Sequence, residues 1–378
     1  MAIDFDSLLC PADADTDIIT MAHGAGGKQT AKLIEDVFLS KLANIHLERQ
    51  EDSAVLSFGD VHLAFTTDSY VINPLFFPGG NIGSLAVTGT INDLAMMGAK
   101  PKYLSLAIIL EEGFPKQKLN AIVESISATA ESAGVVIVTG DTKVVNAGKG
   151  DGIFINTSGI GLIDSLPYPN PSRIKMGDAI IVSGDIGRHG CAVMASREGI
   201  NFETNLQSDM ACLHEVVNDL LAADIDLHCL RDLTRGGLAT SVIEIAQSAK
   251  VHIEIEENSV PVIEPVSSLC NILGLDPMFV ANEGRFVLVV PDEDSNRTLE
   301  ILSRHEASKN AKKIGAVVKE LSDIEQVKAD VGISDSEITL EQNTSRNNKP
   351  QGFVTLKTAF GTKRHLDKLS GDQLPRIC

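Results

Sequence analysis

The sequence predicts an α+β protein of two similar-sized domains followed by a tail. Three observations carry this. At 378 residues the chain is long enough for two cores. Strand-like and helix-like periodicities alternate in both halves. Between the halves lies "SLPYPNPSRIKMGD", with Pro167, Pro169 and Pro171 in five residues, which marks a boundary near 166–173. The resulting division is 1–165, an N-terminal α/β domain, 173–340, a C-terminal α+β domain, and 341–378, a returning strand and mobile tail.

In the first half, "TAKLIEDVFLSKLANI" has apolar residues at helical spacing. "SAVLSF" and "VHLAFTT" flank Gly59-Asp60, a two-residue hairpin turn. "IGSLAVTGTINDLAMMG" reads as a helix buried nearly all round, "KYLSLAIIL" as a strand, and "KLNAIVESISATAESAG" as a helix ending at Gly134. "VVIVTG" reads as a buried strand, and "GIFINTSGIGLI" as the strand that closes the half. In the second half, strand "AIIVSG" precedes helices near 189–198, 208–221 and 237–249. Strands "VHIEI" and "RFVLVV", a helix at 295–305 and strand "KIGAVV" follow. Residues 341–351 are a polar loop, "GFVTLKTAF" is a strand, and the last 18 residues are a tail.

Composition excludes several function classes. Lys and Arg number 32 against 51 Asp and Glu, a net charge of -19, which argues against nucleic acid. A phosphate ligand would need local cations or metal ions. The N-terminus is acidic and has no signal-peptide layout, and the longest apolar run is interrupted by Asn92 and Asp93, so no membrane partner is expected. The six cysteines are scattered, with no CxxC pair. A reducing cytoplasm fits them.

Carboxylates recur at element ends: Asp52, Asp68, Asp141 after "VVIVTG", and Asp232 in "RDLTRGGLA". Taken singly, Asp52, Asp68 and Asp232 need no more than turn and cap chemistry. Asp93 differs, because it is the only charge between Asn81 and Lys100 and lies mid-helix. A lone buried acid is costly unless paired or bound to a cation. Should these acids converge, Mg²⁺ is the natural occupant. "HGAGGKQT" at 23–30 is a Gly-rich segment opening a helix, able to present N–H groups to phosphate. It is not a Walker A loop, since Ala22 and Gln29 stand where Gly and Ser/Thr are needed. On spacing alone a flexible loop suffices. The same holds for Lys143 in "GDTKVV" as a surface residue, and for Glu283 in "ANEGRF" as a turn residue. His46, His62 and His189 form no i,i+4 pair and read as structural.

Cys378 is the last residue. It does not fit a prenylation box, which needs Cys four from the end. It is a thiol on a tether: 18 residues after Phe360 span at most ~60 Å, enough to reach a site on this protein and then another protein.

Together "HGAGGK", "TTDSYVINPLFFPGGNIGSLAVTGTINDLAMMGAKP", "AGVVIVTGDTKVV", "DGIFINTSGIG", "RDLTRGGLA", "ANEGRF" and the closing "LPRIC" resemble the HypE family, the carbamoyl dehydratases of nickel–iron hydrogenase maturation. That family belongs to the superfamily of aminoimidazole ribonucleotide synthetase and selenophosphate synthetase. The likeness runs over nearly the whole chain, and the terminal "PRIC" is its most specific piece. Ser53 and Leu233 depart from the family pattern without removing a carboxylate. The resemblance implies a two-domain PurM-like fold, mixed sheets with helices and a flexible C-terminal tail. It implies that a carbamoyltransferase, HypF, loads Cys378 from carbamoyl phosphate. ATP-dependent dehydration to a thiocyanate and transfer of cyanide to iron on a HypC–HypD scaffold would follow.

The resemblance also implies ATP in a cleft, often across a homodimer interface. Gly26, Gly27 and Lys28 would lie on the phosphate side. Asp52, Asp68, Asp93 and Asp232 would bear Mg²⁺, with Asn92 and Asp141 nearby. Lys143 and Glu283 flank the thiocarbamate in this reading, Glu283 as base and Lys143 as stabiliser, although a desolvated Lys143 could itself be the base. Two other readings remain: an ATP-dependent kinase or ligase on a free small molecule, in which Cys378 is dispensable, and a non-catalytic carrier, which needs the tail but not the aspartates.

Overall fold

A computed structural model describes residues 18–197, 205–320, 352–369 and Ile377. Helix α1 (Lys28–Leu33) starts at Gly27 and continues through a π turn (Ile34–Leu39) into the short α2 (Ser40–Leu42). The single helix expected over 30–45 is therefore π-wound in its middle.

Strands β1 (Ala54–Phe58) and β2 (Val61–Tyr70) form the expected hairpin, with Phe58 opposite Val61 and Gly59 at φ +63°. A small ribbon, β3 (Phe76–Phe77) and β4 (Gly80–Asn81), leads into α3 (Ile82–Met96). The Asn81 side chain caps α3 by accepting from the N–H groups of Gly83 and Ser84. Then come β5 (Lys100–Glu111), α4 (Lys116–Ser132), β6 (Val136–Val145) and β7 (Ile153–Ile163). Among the described residues these make a five-stranded mixed sheet in the order β1-β2-β7-β5-β6.

The second half contributes β8 (Ala179–Val182), α5 (Arg188–Ala195), α6 (His214–Ala222), β9 (Cys229–Asp232), α7 (Gly237–Ala249) and β10 (Val251–Glu256). It continues with α8 (Glu264–Leu273), β11 (Phe286–Val290), α9 (Ser295–Leu302) and β12 (Lys312–Glu320), and ends with β13 (Phe353–Lys357) and β14 (Lys363–Leu366). Its sheet runs β14-β13-β10-β12-β8-β11-β9. The returning strand β13 lies parallel to β10 inside this second sheet, so residues 353–366 are part of its framework. The expected tail of 18 residues thus begins with a sheet strand. Residues 370–376 and Cys378 lie outside the described residues.

Helix α3 is the hinge of the architecture. One side packs on β2 and β7, the other on α6 and β9 of the second unit. Ala95 and Met96 share a core with Phe286 and Leu288, whereas Ile82, Leu85 and Ile91 belong to the core under the first sheet. Burial on both sides explains an apolar sequence without amphipathic period.

Two expectations fail. "VVIVTG" is not buried: β6 is an edge strand, and Val136 and Val138 are more than half exposed. The helix expected over 208–221 starts only at His214; the residues before it are bonded to the Glu283 loop and α3 instead, Ala211 N–H to the Glu283 carbonyl, Asp209 Oδ2 to Gly284 N–H and Leu213 N–H to Asn92 Oδ1. No helix among the described residues is long and apolar enough to cross a membrane.

Candidate active site

Between the first sheet and the β9–α7 turn lies a cavity of about 430 Å³. Its walls carry Asp52, Asp68, Asp93, Asp232 and Glu283, together with Gly26 and Gly27. Asp52 stands just before β1, Asp68 is on β2, Asp93 on α3, and Asp232 ends β9. These acids are far apart in sequence and are joined only by packing of the two units about α3.

The electrostatics follow from burial. Asp93 is held well above the usual carboxylate range, first by desolvation and then by the charges of Asp232, Asp68 and Asp52. The Thr66 hydroxyl donates to Asp93 Oδ2 at 2.8 Å and offsets this only in part. Desolvation and Asp52 push Asp232 up to about 7, against the opposing charge of Arg231. Asp52 and Asp68 are raised too, chiefly by burial. Glu283 is raised well above its ordinary value by desolvation and by Asp232, Asp209 and Asp68, and its buried Oε1 has no hydrogen-bond partner.

Cations stand at the rim. Arg231 reaches Asp52 at 3.6 Å and Glu244 at 2.6 Å, and Lys368 reaches Glu244 at 2.8 Å. Arg235 and Lys368 line the same cavity. Sequence reasoning missed these three cations, although Arg231 and Arg235 sit inside "RDLTRGGLA" beside Asp232.

The loop carrying Glu283 is rigidly held. Asn282 accepts from Gly187 N–H at 2.6 Å and donates to the carbonyls of Leu233 and Val280. Gly284 N–H donates to Asp209 Oδ2 at 3.2 Å, and a Cβ on Gly284 would meet the Asp209 carbonyl oxygen at 1.9 Å. Asn92, expected beside the ligand, is instead spent on this loop. Its amide donates to the carbonyls of Ala211 and Glu283 and its Oδ1 accepts from Leu213 N–H. It is not among the cavity-lining residues.

The Gly-rich segment is tied to the far end of the chain. Lys28 N–H donates to the Leu369 carbonyl at 3.0 Å, and Lys28 Nζ pairs with Asp367 at 2.6 Å. A side chain on Gly27 would meet that Leu369 oxygen at 2.5 Å. Gly26 and Gly27 face the cavity, whereas Lys28 points to Asp367.

Asp141 and Lys143 lie elsewhere. They pair with each other at 3.0 Å on exposed β6 and do not line the cavity. Cys378 lies outside the described residues, but Ile377 is buried in the core with Phe77, Val193 and Ala281. Among the described residues no three His, Cys, Asp or Glu side chains form a ready-made metal cage. The donor set still suits Mg²⁺, which is bound through one or two carboxylates plus substrate phosphates and water rather than by an all-protein cage. Asp232, which is buried, and Asp52, Asp68 and Asp93, which are half-buried, supply those donors and repel one another.

Residues 50–163 match the N-terminal domain of AIR synthase related protein, and residues 175–328 its C-terminal domain. Carbamoyl dehydratase HypE of Azotobacter vinelandii is 44% identical over 360 residues, covering 95% of this chain and 97% of the relative. A crystal structure of hydrogenase maturation protein HypE in complex with ATP is 42% identical, covers 95% of this chain and all of that one, and has a TM-score of 0.74. The crystal structure of a HypE–HypF complex superposes with a TM-score of 0.77 at 41% identity, covering 89% of this chain and 99% of that one. With that identity maintained along nearly its full length, and with both AIR synthase related domains present, the chain belongs to the HypE carbamoyl dehydratase family.

Proposed function

We propose that this chain uses ATP to dehydrate an S-carbamoyl group on its own Cys378 to a thiocyanate, which supplies cyanide for the iron of a nickel–iron hydrogenase. The observation that carries the reading is the convergence of Asp52, Asp68, Asp93, Asp232 and Glu283 on one cavity that Gly26 and Gly27 also line. A HypF-type carbamoyltransferase loads the thiol from carbamoyl phosphate, and a HypC–HypD-type scaffold takes the cyano group. Cytoplasmic ATP and carbamoyl phosphate place the reaction in the cytoplasm.

ATP supplies the phosphoryl group that turns the amide oxygen into a leaving group; both N–H protons are lost as the nitrile forms. The sulfur–carbon bond is kept, the carbon–oxygen bond breaks, and ADP and phosphate leave. Mg²⁺ held by Asp52, Asp68, Asp93 and Asp232 would neutralise the triphosphate. Arg231, Arg235 and Lys368 suit the remaining phosphate charge, with Gly26 and Gly27 lining the same cavity. Glu283 takes a proton from nitrogen, since a carboxylate with raised pKa is the stronger acceptor.

Lys143 and Asp141 contribute across a homodimer. Phe65, Ile160, Tyr103 and Val136 are directly paired across β2, β7, β5 and β6, and form an exposed apolar row on one sheet face. Asp141 and Lys143, opposite Ala107 and Ile109, share that face. A second copy seated there would bring Lys143 towards reacting groups that it does not reach within one chain.

Intact mass spectrometry after incubation with carbamoyltransferase, carbamoyl phosphate and Mg-ATP tests the reading. The terminal peptide should gain one carbamoyl group and then lose one water. Water loss from a Cys378→Ala protein, or turnover of a free small molecule instead, would refute it.

A further inference from the structure

His189 has no role in the chemistry above, yet it is completely buried and both its ring nitrogens are used. Nε2 lies 2.8 Å from the carbonyl oxygen of Ile377, and Nδ1 lies 2.8 Å from Ser208 Oγ. A carbonyl only accepts, so Nε2 carries the proton. Nδ1 of the neutral ring must then accept from the Ser208 hydroxyl, which itself accepts from Met210 N–H at 3.1 Å. Every donor in this chain of bonds has one acceptor. Burial also lowers the pKa of His189, against the Ile377 carbonyl and the charge of Asp209, so the ring stays neutral.

The seat is built from both units. His189 is on α5 of the second unit, and Phe77 of the β3 ribbon meets its ring edge-on at 5.3 Å. Ser208 N–H donates to Pro78 O, next to Phe77. The Ile377 side chain fills the same core as Phe77, Val193 and Ala281. Ala281 is two residues before Glu283, and its carbonyl accepts from Gly190 N–H, beside His189. Upstream, the Leu369 carbonyl accepts from Lys28 N–H, beside the cavity-lining Gly27 and Lys368.

From these contacts we infer that His189 is a positioning residue: it grips the carbonyl of Ile377 and thereby holds the residue that precedes the reacting thiol against Ala281, two positions before Glu283. The inference rests on the dehydratase reading for its purpose but not for its geometry. A backbone carbonyl carries no sequence information; selectivity comes from the apolar hole for Ile377. The seat therefore selects an aliphatic residue before the terminal cysteine, and His189 holds the chain through the Ile377 backbone whether or not the thiol is carbamoylated.

The test reads the seat and the reaction separately. The full-length protein, with Mg-ATP, is treated with limiting N-ethylmaleimide, and labelling of the terminal peptide is followed by mass spectrometry. His189→Ala and Ile377→Ala should each speed labelling of Cys378 by about five- to tenfold, the factor expected when one net hydrogen bond or a small apolar contact no longer holds a closed state. His189→Gln, which keeps an N–H donor near Nε2, should fall between wild type and His189→Ala. In the coupled assay, His189→Ala should load carbamoyl no more slowly than wild type but lose water about tenfold more slowly.

Wild-type labelling in His189→Ala would overturn the inference, as would acceleration in Ile377→Ala alone, which would leave only an apolar seat. Should His189→Ala lack a cooperative melt, equal labelling of wild type, His189→Gln and Ile377→Ala overturns it. The expected labelling pattern in a protein that never loses water would uphold the seat and refute the dehydratase reading.

Discussion

Asp232→Asn tests the electrostatic strain in the cavity. Asp232 is 7% exposed, and its pKa is pushed from 3.8 to about 7 by burial and by Asp52. An acid raised in the folded state holds a proton there that the unfolded chain has released. Between pH 3.8 and about 7 the native state therefore binds more protons, and stability falls as pH rises. At ~1.4 kcal/mol per pH unit the full penalty above pH 7 is ~4 kcal/mol, and about half is already present near pH 5.5. Asparagine removes the charge while its amide oxygen still accepts from Thr234, whose hydroxyl lies 3.3 Å from Asp232 Oδ1.

The nucleotide-free Asp232→Asn protein should thus be more stable than wild type, by ~2 kcal/mol at pH 5.5 and ~4 kcal/mol at pH 8. Urea denaturation at both pH values measures this. A difference independent of pH, or a loss of stability at pH 8, would refute the reasoning. The same variant should gain less stability from Mg-ATP than wild type, because the carboxylate is strained for want of a cation.

Asp93→Asn should keep the fold and weaken Mg-ATP binding about 10- to 100-fold, the ~1.5–3 kcal/mol of one charge-assisted contact, read by titration calorimetry. Glu283→Gln should accumulate the carbamoylated terminal peptide without thiocyanate, because loading is done by the partner enzyme; normal water loss would remove Glu283 from the mechanism. Gly284→Ala should cost about 3 kcal/mol in chemical denaturation, since its Cβ would overlap the Asp209 carbonyl oxygen at 1.9 Å.

Local structure was legible where local rules decide it. The hairpin at Gly59-Asp60, the helix from 237 to 249 and the end of α4 before Gly134 follow from turn residues and periodicity. The oddity of Asp93 was legible too, as a charge in an apolar helix. The exposure of β6 was not, because an apolar strand reads alike whether it is covered or at an edge, and only sheet order separates the two. Nor was the role of Asn92, which the family resemblance set near the ligand. Successive helical positions point about 100° apart: Asp93 faces the cavity and Asn92 the Glu283 loop.

By itself the sequence determined the elements, the acidic character, the terminal thiol and, through motifs spread along the chain, the family. Tertiary structure decided the rest. It drew Asp52, Asp68, Asp93, Asp232 and Glu283 into one desolvated space, where their pKa values rise because they share a low-dielectric cavity. It set Lys28 against Asp367 and Leu369, and His189 against Ile377. Such contacts join residues as far apart as Lys28 and Asp367, 339 positions along the chain, and beyond, and no periodicity or spacing encodes them. They accompany the burial of α3 between the two units, with Gly26, Gly27 and Lys368 lining one cavity.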